Sequence, residues 1–170
     1  MPVASRTLCF ALVLAVAATP LLAAEKAPPP TPADPTAASL ESLLAGEFAL
    51  QSGRLDDAAQ SYLDAAREAD DVALAGRAAR IALLANGDER AADALKLWRQ
   101  QGGEGLNLAA AEAVLAIRRG NEREARKHLT ELLQTPDDAG WRQALGVLSG
   151  GARDPKQAAT AGAYCAMALL

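Results

Sequence analysis

The chain has 170 residues, with 17 Lys and Arg against 21 Asp and Glu for a formal net charge of −4, and only two each of Phe, Tyr and Trp. That length points to one domain, and the weak charge gives no field that would select nucleic acid or an anionic membrane. Cys9 and Cys165 are too few for a disulfide framework or a thiolate metal site, and the Ala, Leu, Arg, Glu and Asp bulk favours closely packed helices over a β-rich core.

Residues 1–24 read as a signal peptide. Arg6 precedes an apolar run from Thr7 to Ala18, Pro20 breaks it, and Leu21-Leu22-Ala23-Ala24 supplies the small-residue exit. The run is well short of the roughly 20 apolar residues that span hydrocarbon, so no membrane span is expected. Cleavage after Ala23 or Ala24 would leave an exported, periplasmic protein. A lipoprotein signal would place a cysteine directly after the small residues, where Glu25 and Lys26 stand. Residues 25–37 hold five prolines and read as an extended, semi-rigid linker.

From Ala38 onward the apolar spacing is helical. Helices are expected over Ala38–Ser52 and Leu55–Ala69, then over Val72–Asn86 and Glu89–Gln101, then over Leu106–Arg119 and Glu122–Gln134. Gly53, Gly87 and Gly120 fall at the turn inside each pair, spaced by 34 and 33 residues, and Ala58, Ala92 and Ala125 follow each glycine at a fixed distance. Glycine suits a turn that leaves the first helix with positive φ, and alanine suits a close helix crossing. Residues 38–138 therefore form three helix pairs. Residues 139–170 are a partial fourth unit or a helical tail, with Gly150-Gly151 expected to break it. The last segment, Gln157 to Leu170, lacks the polar outer face of an end cap, so either it packs back on the stack or the chain is shortened from a longer array, the second being favoured.

A helix–turn–helix period of about 34 residues is the tetratricopeptide length, and the chain resembles that family. Gly46, Ala58, Tyr62 and Ala65 match the family's small, small, aromatic and small positions in the first unit, while Ala49, Leu83 and Ala116 stand where the family places a Tyr. The resemblance implies an all-α fold of antiparallel helix pairs stacked as a short right-handed solenoid. Leu44–Tyr62 together with Arg77–Leu84 is also similar to the start of proteobacterial envelope repeat proteins, often outer-membrane lipoproteins that act as protease adaptors or scaffolds.

In this family the first helix of each pair lines an inner groove. Carried over on the glycine register, that implies partner contacts from Leu43, Glu47, Leu50 and Gln51, then Leu74, Arg77, Ile81 and Leu84, then Asn107, Val114, Ile117 and Arg118. Arg77 and Arg118 are the expected clamps for a peptide carboxylate, because guanidinium pairs carboxylate in a bidentate fork. The implied partner is a protein or peptide, such as an envelope protease or assembly factor. No catalytic motif, cofactor or metal site is expected: there is no phosphate loop, no His-Glu metal helix and no serine elbow. His128 reads as a surface partner of Glu124, the pairs Asp56-Asp57, Asp70-Asp71 and Asp137-Asp138 as helix caps, and the Arg118–Lys127 run as a solvated face. The alternative function is a helical accessory part of a cell-envelope enzyme whose catalytic region lies outside this chain.

Overall fold

The computed structural model describes residues 35–136 and 138–168. The expected signal peptide and most of the linker lie outside the described residues. Among the described residues every regular element is a helix: α1 Pro35–Gln51, α2 Leu55–Ala69, α3 Val72–Leu84, α4 Asp88–Gln100, α5 Leu106–Arg118, α6 Glu122–Leu133, α7 Asp138–Gly151 and α8 Pro155–Ala168. Successive helices pack antiparallel in pairs and the pairs stack, so the architecture is an all-α helical repeat. The expected linker ends sooner than position 37, because Pro35 opens α1. Proline is tolerated in a first helical turn, where the missing N–H had no acceptor in the helix.

The helix ends follow from local chemistry. Asp56 and Asp57 occupy the first turn of α2 and Arg67 its last, each complementing the helix dipole. The Asp71 carboxylate caps α3, accepting from the backbone N–H of Ala73 at 2.7 Å and of Leu74 at 3.3 Å. Asn121 caps α6 by accepting from the Glu124 N–H at 3.4 Å.

Two register expectations in the second unit are corrected. The left-handed turn residues are Gly53 (φ 71°), Asn86 (φ 59°) and Gly120 (φ 67°). Gly87 has φ −85° and serves as the N-cap of α4, so the turn falls one residue earlier than the glycine suggests. Asparagine enters the left-handed region readily enough to replace glycine there. The alanine at the crossing shifts with it: Ala91 is fully buried, as Ala58 and Ala125 are, whereas Ala92 is only half-buried.

The apolar residues form two cores that share α5. One joins α1 to α4 and takes in Leu108, Ala111 and Leu115 of α5. The other joins α5 to α8 through Ala109, Ala113, Ala116 and Ile117. With eight of its 13 residues buried, α5 is apolar nearly all round because it serves both cores.

The junction between the two halves is the 101–105 connection, where Gly102 and Gly105 both have φ 85°. In the outer layer α2 packs on α4 and α6 on α8, but α4 and α6 do not meet. After the third pair the chain adds two further helices, α7 and α8. Gly150-Gly151 does not break α7 but forms its last two residues. α7 leans on α5 and α8 on α6, and the two touch each other only lightly.

Candidate functional site

A groove of about 330 Å³ lies between α3, α5 and α7, the first helices of successive pairs. Leu84, Asn107, Val114 and Arg118, expected from sequence, all line it. Leu84, a large aliphatic side chain, is 69% exposed there. Asn107 and Gln143 bridge α5 and α7 through a 3.1 Å side-chain hydrogen bond. On the α7 wall, Gly146 and Gly150 present bare backbone, and a Cβ built on either meets nothing within 4 Å. That leaves the groove open on one side.

The other expected contacts are placed differently. Ile81 is 5% exposed and belongs to the first core, with Leu43, Leu50 and Leu74 packed against that core. Ile117 is buried in the second core. Gln51 is exposed near the end of α1.

Glu47 and Arg77 are engaged with each other. Arg77 Nη2 lies 2.9 Å from Glu47 Oε1, and its guanidinium stacks 4.6 Å from the centre of the Tyr62 ring. The Tyr62 hydroxyl donates to the same carboxylate. Gly46 makes room for that ring, since a Cβ there would lie 3.1 Å from Tyr62 Cδ2. The trio ties α1, α2 and α3 together.

Arg118 is a correction to the carboxylate clamp. Its side chain is 8% exposed and its donors are spent on the chain itself. Nη1 donates to the Leu83 carbonyl at 2.7 Å, Nη2 to Gly150 O at 3.3 Å and Nε to Gly151 O at 3.4 Å. These carbonyls lie at the C-terminal ends of α3 and α7, where a cation also answers the helix dipole; the Leu83 carbonyl accepts from the Asn86 N–H as well, at 3.1 Å. Asp88 lies 3.7 Å from Arg118 and accepts from Arg153 at 2.6 Å, holding two guanidiniums together at this edge. Burial, then the neighbouring Arg153 charge, lowers the Arg118 pKa from its ordinary value, and Asp88 opposes the shift.

The free guanidinium of the groove is Arg80, which sequence reading passed over. It lines the groove, lies 6.0 Å from the Trp98 ring centre, and has no carboxylate partner among the described residues. Its spacing from Arg77 and Leu84 on one face of α3 is the signal that could have found it.

His128 is also corrected. It is 5% exposed on the inner side of α6 rather than on a solvated face. Nδ1 lies 3.4 Å from Glu112 and 3.6 Å from Glu131, and Nε2 lies 3.5 Å from Glu124. Glu112 is itself held by Arg99, whose Nη2 donates at 2.6 Å. This cluster lines an outer cleft of about 360 Å³ between α4 and α6. No group of three His, Cys, Asp or Glu among the described residues is placed to hold a metal ion, and no described helix is long and apolar enough to cross a membrane.

No known protein family matches the chain, and neither a curated protein nor a solved structure does.

The Tyr62 site has a pH signature. Burial, then the hydrogen bond to Glu47, pushes the phenol up to about 12. An unfolded tyrosine ionises near about 10, so between about pH 10 and 12 the folded chain keeps a proton that the unfolded chain has lost. The stability tied to this group is whole below about pH 10 and declines as pH rises toward 12. Tyr62→Phe should lower neutral stability by about 1 kcal/mol and flatten that alkaline decline. Urea titrations at about pH 8 and about pH 11 measure both, and identical alkaline slopes in the two proteins would contradict the assignment.

Proposed function

We propose that the chain is an exported tetratricopeptide-type adaptor that holds a segment of another protein along the inner face of its helical repeats. The observation that carries this reading is the groove between α3, α5 and α7. There an exposed Leu84, the bare α7 backbone at Gly146 and Gly150, and an unpaired Arg80 lie side by side. An apolar lining beside Arg80, which has no carboxylate partner among the described residues, suits a peptide that offers an aliphatic side chain and a carboxylate. Catalysis is not proposed, because the titratable residues that line the groove are Arg80 and Arg118, and a guanidinium stays protonated and is neither a nucleophile nor a general base. The similarity to envelope repeat proteins suggests a protease or assembly factor of the cell envelope as partner, and the apolar run before Pro20 suggests a periplasmic location.

The test uses two exposed residues of the groove, neither of them part of a core. Leu84→Glu combined with Arg80→Glu should reduce partner capture from envelope extract at least about tenfold, as expected when a central contact and its charge are reversed. Circular dichroism should stay at the parent value. Capture at full strength by the folded double variant would remove the groove from consideration.

A further inference from the structure

In the outer layer of the stack one neighbouring pair of helices fails to close. α2 packs on α4 and α6 on α8, but between α4 and α6 a cleft of about 360 Å³ stays open. At the α2–α4 contact, Arg90 reaches across to Asp56 and Gln60. Aligned on the turn residues Asn86 and Gly120, the place of Arg90 is taken on α6 by Glu124. Among the described residues no side chain of α4 bonds to that carboxylate. The opening has the size that small ligands fill.

Its lining combines an apolar surface with a few polar groups. Ala92 and Leu95 of α4 and Leu115 and Ala116 of α5 supply the apolar part. Of the charged groups, Arg99 and Glu112 satisfy each other, and Arg119 is held by Glu89. Three groups are left with nothing across the cleft: Lys96 on the α4 wall, and Glu124 and His128 on the α6 wall. Lys96 has no hydrogen bond or ion pair among the described residues.

His128 is the least satisfied of the three. It is 5% exposed, and its buried Nδ1 makes no hydrogen bond, a costly and uncommon state in a folded protein. Nδ1 is turned toward Glu112 and Glu131, and Nε2 toward Glu124. Two carboxylates on the Nδ1 side favour the ring proton there, which leaves Nε2 an acceptor, 3.5 Å from a second acceptor, Glu124 Oε2. Two acceptors that close on one wall call for a shared donor. The Lys127 ammonium, 3.5 Å from Glu124, does not line the cleft. A donor bound at Nε2 would fix the ring so that Nδ1–H can settle on Glu112.

We propose that this cleft binds a small zwitterion with an apolar side chain, a free α-amino acid or a dipeptide. Its ammonium sits between His128 Nε2 and Glu124, its carboxylate meets Lys96 on the opposite wall, and its side chain lies on Leu95 and Leu115. A fatty acid would answer Lys96 but leave the acceptor pair unfilled, and a plain amine would do the reverse. The zwitterion joins the two outer helices that the chain itself leaves apart. The cleft shares no lining residue with the inner groove, so this proposal and the adaptor reading stand or fall independently.

Nuclear magnetic resonance on the untagged protein decides it, because His128 is the only histidine of the sequence and its ring signals report the cleft directly. L-leucine or leucyl-leucine at millimolar concentration should shift those signals to saturation, and the tighter of the two identifies the source of the zwitterion. N-acetyl-leucine, which lacks the ammonium, and leucinamide, which lacks the carboxylate, should each bind at least about tenfold more weakly. Glu124→Gln should erase the preference for leucine over N-acetyl-leucine, and Lys96→Met the preference over leucinamide, with helical content unchanged in both. Ring signals that stay in place with both ligands overturn the proposal. So do equal affinities for leucine, N-acetyl-leucine and leucinamide, the mark of a cleft that reads the side chain alone.

Discussion

Replacing Arg118 by methionine should lower the unfolding free energy by about 2–4 kcal/mol, a large share of what a domain of this size holds in reserve. The hydrocarbon stem would be retained, so the loss would isolate the guanidinium. Without it the Leu83, Gly150 and Gly151 carbonyls lose a charged donor at the ends of α3 and α7. The Gly150 and Gly151 carbonyls at the end of α7 would lose this donor, and the Leu83 carbonyl would keep only the Asn86 N–H at 3.1 Å. Asp88, 18% exposed, would keep only Arg153. Arg118→Lys should recover little, because one ammonium on a flexible stem cannot reproduce a planar fork aimed at three acceptors. Urea denaturation measures the loss, and amide exchange locates it. Protection should fall first in α7 and α8, which touch each other lightly and depend on their neighbours. A loss below about 0.5 kcal/mol would show that the carbonyls are solvated in the folded state and that Arg118 is free for a partner.

The same residue shows how far a sequence carries and where it stops. Helical spacing places Arg118 on the inner face of α5, and it does line the groove. What its head group touches depends on α7, whose Gly150-Gly151 reads as a helix breaker. The glycines instead end a 14-residue helix, and their carbonyls are the acceptors that Arg118 fills. A contact between residues some thirty positions apart decided both the end of α7 and the role of Arg118, and neither segment reveals it alone.

The helix pairs themselves were legible because each carries its own evidence: an apolar stripe, a turn, and a small residue at the crossing. The unit-two slip arose at Asn86-Gly87, where two adjacent residues can both take a left-handed turn and only packing chooses between them. His128 was a failure of emphasis. Its charged neighbours suggested a solvated face, yet it lies one helical turn from Ala125 and Leu132, both fully buried on α6. The periodicity of that helix held the answer. For the groove, the family register found Leu84, Asn107 and Val114 but missed Arg80 and all of α7, because a carried-over pattern holds only where the chain keeps it.

Gly103→Ala should be the most disruptive single-methyl change at the junction of the two halves, at about 3 kcal/mol. The obstacle is space rather than backbone torsion, since the left-handed residues of this connection are Gly102 and Gly105 and not Gly103. A Cβ at 103 would lie 2.1 Å from Trp98 Cδ1, 2.4 Å from its Nε1 and 2.6 Å from its carbonyl oxygen. The indole has nowhere to retreat. It is 7% exposed, and across it Gly76 of α3 approaches so closely that a Cβ there would lie 2.9 Å from the ring. The Gly103 N–H also donates to the Trp98 carbonyl at 2.8 Å, which fixes the loop against the end of α4. Gly102→Ala makes the informative comparison. At φ 85° with nothing within 4 Å of the added carbon, it should lose only the left-handed penalty of about 1–2 kcal/mol. In a Trp141→Phe background, Trp98 fluorescence reports the displaced indole directly. Adding Trp98→Leu to Gly103→Ala should make the glycine change less costly than it is alone, a coupling that a double-mutant cycle isolates. If Gly103→Ala proves no more harmful than Gly102→Ala, the indole is not wedged between the two glycines, and the angle between the halves of the stack is set by the loop alone.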